Sequence, residues 1–199
     1  MKQLLLDIKP IAPPTLQNFV AGRNAEALAS LASVTQNDVN FIYLWGEKGS
    51  GKTHLLSACE ALGIKVADDV HLLDADAQIA LFNTYNQLKE SGEILIAAGS
   101  HAPNQMGLRD DLATRLAWGL VYQLHPLNDA EKALALKNHA KERGIKLPDE
   151  VIEYCLRYLR RDLATLMAIL DALDEWSLTT HKPVTVPMLK KLLQPDLAI

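Results

Sequence analysis

The 199 residues hold little of what would mark a nucleic-acid binder, a secreted scaffold or a membrane protein. Positive charge is in deficit: 20 Lys and Arg against 24 Asp and Glu leave a formal net charge of −4. Bulk electrostatics therefore do not favour a phosphate backbone as partner. Cysteine is reduced to Cys59 and Cys155, far apart and in no metal or redox spacing. That excludes a disulfide framework and reads as two buried thiols in a reducing, cytoplasmic compartment. Long apolar runs are missing too. Leu4-Leu5-Leu6 is stopped by Asp7 and Lys9, too short for a secretion signal, and no stretch approaches the ~18 apolar residues of a membrane span. The six histidines (His54, His71, His101, His125, His139, His181) show no metal-ligand spacing. There is no internal repeat, and the one linker-like stretch is Ile11-Ala12-Pro13-Pro14. What is there, 49% hydrophobic and 22% charged residues with ten glycines, is ordinary globular usage with room for a core domain and an appendage.

One segment carries chemistry outright. Gly46-Glu47-Lys48-Gly49-Ser50-Gly51-Lys52-Thr53 is a complete G-x-x-x-x-G-K-[ST] loop, preceded by the apolar run 41–45 and followed by His54-Leu55-Leu56. The glycines let backbone N–H groups turn inward around phosphates at the positive end of the following helix. Lys52 would reach the β/γ oxygens and Thr53 would hold Mg²⁺. Residues 46–54 are thus candidate contacts to ATP or ADP.

Around this loop, short apolar runs alternate with helical patterns up to Pro126. Residues 41–45, 64–67, 94–98 and 120–124 are strand candidates for a parallel sheet. Beyond Pro126 only helices are expected. Asn128-Asp129-Ala130-Glu131 caps one running to about Arg143, and Pro148 opens a second ending near Tyr158. A third spans 161–178, with Met167, Leu170 and Leu173 as its core, and the last spans 186–193. The expected organisation is a tail over 1–12, an α/β core over 13–125 and an all-helical lid over 126–199.

That layout resembles the AAA+ ATPases, and further parts of such a machine have candidates. Ile64-Lys65-Val66-Ala67-Asp68-Asp69 has the form of a Walker B strand, with Asp68 as metal ligand and Asp69 as the base that polarises water. Val70-His71-Leu72-Leu73-Asp74 offers a competing register. Ser100, just past the strand at 94–98, is a sensor I candidate or an ordinary loop serine. Arg115, ahead of the last strand, is placed to act as an arginine finger in a neighbouring subunit or to pair with Asp110 or Asp111. Arg160 and Arg161 open the third lid helix, where Arg161 is favoured as sensor II.

The run Thr15-Leu16-Gln17-Asn18-Phe19-Val20-Ala21-Gly22-Arg23-Asn24 resembles the adenine-side box of the bacterial initiator DnaA, and Asp111 to Gly119 resembles its arginine-finger box. The chain is similar, over nearly its whole length, to the Hda family of DnaA-related regulatory inactivators. The resemblance implies that Phe19, Val20 and Asn24 face the nucleotide. It also implies that Gln3, Leu4, Leu6 and Ile8 form a peptide docking on the sliding clamp, the β subunit of DNA polymerase III. The activity implied is in trans: clamp-bound, the chain stimulates hydrolysis of ATP held by DnaA and prevents re-initiation, while its own turnover is weak. An initiator would carry a helix-turn-helix domain after the lid, and this sequence stops at Ile199, so no direct DNA binding through such a domain is expected. A homo-oligomer stays open. Only residues 54–67 separate Thr53 from Asp68, where the family inserts a further strand and helix. The sheet is therefore expected to lack its usual second strand and to run 5-1-4-3. Two other classes fit the motifs: an autonomous ATPase that remodels another replication protein, and an adaptor indifferent to nucleotide.

Overall fold

The computed structural model describes residues 13–36, 39–159 and 162–193. The clamp-peptide residues Gln3, Leu4, Leu6 and Ile8, and the sensor II candidate Arg161, lie outside these. The chain divides into two compact units, one over Pro13–Leu127 and one containing the helices from Asn128 onward.

In the first unit, β1 (Phe41–Trp45), β2 (Lys65–Ala67), β3 (Leu95–Gly99) and β4 (Leu120–Gln123) form one parallel sheet in the order β2-β3-β1-β4. Numbered as in the complete fold, with a place kept for a second strand, this is the expected 5-1-4-3. The cause is local. Helix α2 (Lys52–Glu60) runs through a tight turn at residues 61–63 straight into β2, leaving no chain for another strand.

Helices cover both faces of the sheet, because side chains alternate along a strand. From β1, Ile42 and Leu44 enter a core with Leu31 of α1 (Ala25–Ala32) and Leu55 and Leu56 of α2. Tyr43 points the other way, into a core with Tyr85 and Leu88 of α3 (Ala75–Ser91) and Leu112 and Leu116 of α4 (Asp110–Ala117). In register, Trp45 lies opposite Gly99 and Gln123. The carboxyl ends of the strands therefore come out together, with residues 46–53, Asp68, Ser100 and Leu124 beside one another at one rim of the sheet. Open α/β sheets bind ligands at that rim.

The second unit is helical: α5 (Asp129–Glu142), α6 (Asp149–Tyr158), α7 (Leu163–Thr180) and α8 (Val186–Leu193). Leu136, Ile152, Cys155, Leu166, Leu170, Leu173 and Leu189 fill its core, with Met167 packed at the edge. Asn128 and Glu131 close a capping box on α5. The expected start of α7 at Arg161 is corrected. Asp162 caps it, accepting from Thr165 N at 2.9 Å, and the helix opens at Leu163. An acid at this end suits the helix dipole, where two arginines would oppose it. Pro148 likewise precedes α6 as its cap residue. Among the described residues no helix is long and apolar enough to cross a membrane.

Candidate nucleotide-binding site

The loop between β1 and α2 is held open by backbone that only glycine supplies at low cost. Gly49 and Gly51 have φ of +85° and +95°. A Cβ on Gly46 would run into the Leu124 carbonyl, and one on Gly51 would come within 2.6 Å of the Phe19 ring. Inside the loop, Ser50 is buried at 4% exposure and its hydroxyl has no hydrogen-bond partner among the described residues. Lys52 Nζ donates to the carbonyls of Gly46 (2.7 Å) and Glu47 (3.1 Å). Burial lowers the Lys52 pKa, against the pull of Asp68 and Asp69. A cradle with an orphaned hydroxyl and a partly desolvated ammonium fits a bound phosphate chain, which would accept from both.

Thr53 Oγ1 donates to Asp68 Oδ2 at 2.7 Å, and Asp69 N donates to Asp68 Oδ1 at 2.8 Å. The structure thus brings the two metal candidates together. The competing register takes another conformation. Asp69 turns left-handed (φ +47°), Val70–Leu72 winds into a 3₁₀ turn, and Asp74 caps α3 by accepting from Ala77 N. Among the described residues no three His, Cys, Asp or Glu side chains gather to hold a metal alone. Thr53 and Asp68 would hold Mg²⁺, and the nucleotide and water would complete its shell.

The amino-terminal segment packs against the loop. Phe19 lies against Gly51, its ring centroid 5.4 Å from that of His54, and His54 Nε2 donates to the Thr15 carbonyl at 3.0 Å. Asn24 is 3% exposed. Its amide donates to the His125 carbonyl (2.9 Å) and accepts from His125 N (2.8 Å). It ties the amino-terminal segment to the chain just after β4, using one N–H of the amide and one lone pair of its oxygen. Val20 is half-buried. Ser100 Oγ lies 2.9 Å from His101 Nδ1, immediately past β3.

Arg115, in the last turn of α4, pairs with neither Asp110 nor Asp111. Arg109 holds Asp111 instead, through Nε (3.2 Å) and a terminal nitrogen (2.8 Å), and this hydrogen-bonded pair keeps the Asp111 carboxyl below its usual range. The Arg115 guanidinium lies over three rings: 4.5 Å from the Trp118 centroid and 5.9 Å from those of Phe82 and Tyr85.

Residues 129–193 match the family described as Hda, lid domain. Domain III of the replication initiation protein DnaA from Thermotoga maritima is similar over 94% of this chain and 98% of that one, with a TM-score of 0.70 and 23% identity. AMPPCP-bound DnaA from Aquifex aeolicus matches over 88% of this chain and 71% of that one, with a TM-score of 0.65 and 22% identity. The RuvB Holliday junction branch migration motor of Thermotoga maritima matches over 92% and 72%, with a TM-score of 0.62 and 15% identity. The chain thus has the AAA+ fold of these proteins, and its helical end matches the Hda lid model.

Three features of this AAA+ core escape a reading of the sequence. Tyr43, an ordinary core aromatic by pattern, sends its hydroxyl to the His101 carbonyl at 3.0 Å and so ties down the loop that carries Ser100. Burial raises the pKa of that hydroxyl, which keeps it a neutral donor. The partner of Asn24 is about a hundred residues away, beyond any local pattern. The aromatic surroundings of Arg115 come from two helices, and only the three-residue spacing to Trp118 is visible in the chain itself.

Proposed function

We propose that this chain is a clamp-borne regulator that switches off DnaA after initiation. On this reading, Gln3, Leu4, Leu6 and Ile8 dock on the sliding clamp, and Arg115 enters the ATP site of a bound DnaA molecule. There the guanidinium neutralises charge that develops on the transferred phosphoryl group. ATP or ADP with Mg²⁺ in the chain's own site, bound by residues 46–54, organises the AAA+ surface rather than turning over rapidly.

The observation that carries the reading is Arg115 itself: a half-buried cation with no carboxylate at ion-pair distance among the described residues, in a chain whose lid matches the Hda family. A structural arginine in the last turn of a helix would be expected to use one of the acids on its own helix.

The test is hydrolysis of ATP prebound to DnaA in the presence of clamp-loaded DNA. The wild-type chain should accelerate it, and Arg115→Ala should lose about 10³-fold or more of that acceleration. No stimulation by the wild type would sink the proposal. The assembled Thr53–Asp68 pair gives some weight to a second reading, a self-contained ATPase, which predicts steady turnover without DnaA that Asp69→Asn abolishes.

A further inference from the structure

The rings around Arg115 do something an ion pair cannot. A guanidinium held by a carboxylate spends its N–H donors on that partner and must break the pair before it can serve a phosphate. A guanidinium held over an aromatic face is attracted through the ring quadrupole, and its in-plane donors stay free. Arg115 is in the second situation, with Trp118 nearest at 4.5 Å. The local acids do not compete for it: Asp111 is taken by Arg109, and Arg115 forms no ion pair with Asp110.

The Trp118 ring also carries a second cation. Lys89 Nζ of α3 lies 4.9 Å from its centroid. Two positive groups share one indole, and neither has a carboxylate at ion-pair distance among the described residues. Their mutual repulsion is relieved by an incoming polyanion. Yet Trp118 is 60% exposed, so little apolar burial is gained by placing an indole there. It closes no core, since the buried cluster beneath it is formed by Tyr85, Leu88, Leu112 and Leu116.

We propose that Trp118 is a positioning residue for Arg115: its ring holds the guanidinium in a single orientation with the phosphate-binding donors unspent. This rests on the reading in which Arg115 acts on a nucleotide held by another subunit. Trp118 itself touches no reacting atom.

The experiment titrates ATP-loaded DnaA on clamp-loaded DNA with the wild-type chain, Trp118→Ala, Trp118→Phe and Arg115→Ala, separating the rate at saturation from the half-saturating concentration. Trp118→Ala should lower the saturating rate about tenfold while the half-saturating concentration and the thermal midpoint stay where they were. Trp118→Phe, which keeps a ring face, should recover most of the rate. Wild-type rates in Trp118→Ala beside an inactive Arg115→Ala would overturn the positioning role and leave the proposed function standing. So would a higher half-saturating concentration at an unchanged saturating rate, which would make the indole a docking contact. An Arg115→Ala variant as active as wild type would overturn the proposed function, and the positioning role with it.

Discussion

Cys59 and Cys155 show how a single side chain reports on its surroundings. Both are buried, one under the sheet and one in the lid core, and burial pushes each thiol up to about 11 from an ordinary value near 9. The folded state thus favours the protonated form of each. Their contribution to stability is fully present below pH 9 and is lost as the pH rises through 11. At pH 8 neither thiol of the native chain should react with Ellman's reagent, and both should react once urea unfolds it. Prompt modification of native protein would contradict the burial described. Residue-level legibility in the sequence was uneven for a physical reason. The glycines of the loop are dictated by backbone angles, so their spacing is written into the chain. That Asp68 meets Thr53 while Asp74 caps α3 turns on one left-handed residue, Asp69, a conformation that aspartate tolerates but that the sequence does not locate.

Among the elements, helices were more readable at their capped ends than at their uncapped ones. Asn128 and Glu131 exchange hydrogen bonds of 2.8 and 2.7 Å, and α5 begins where that pattern places it. Replacing Asn128 by Ala should cost about 1 kcal/mol, read as a lower urea midpoint by circular dichroism, with Asn128→Asp close to wild type. Equal loss in both variants would show that the side-chain oxygen is not what matters. At α7 the sequence offered two arginines and an aspartate in a row. The capping carboxylate of Asp162 decided the start, two residues later than periodicity suggests. The four strands stand within one residue of their expected positions, since each is a short apolar run bounded by breakers. What periodicity could not supply was anything made by elements meeting: the Asn24 bridge to His125, the Tyr43 tie to His101, and the rings about Arg115.

At the scale of the molecule, the proposed ligand should be visible as stability. A nucleotide that binds only the folded chain adds about 2.7 kcal/mol at a hundred times its dissociation constant. ADP with Mg²⁺ should therefore raise the thermal midpoint of the wild type and leave that of Lys52→Ala unmoved. An equal shift in both would place binding away from the loop. The sheet also bears on how such a site responds to load. Among the described residues the sheet has four strands, and β2 and β4 are its edges. The phosphate loop grows from β1 and Ser100 follows β3, the two strands with neighbours on both sides. Asp68 follows β2, three residues long and paired on one side only. In the proposed site the phosphate end is therefore the stiffer and the metal end the more compliant, joined by the Thr53–Asp68 hydrogen bond.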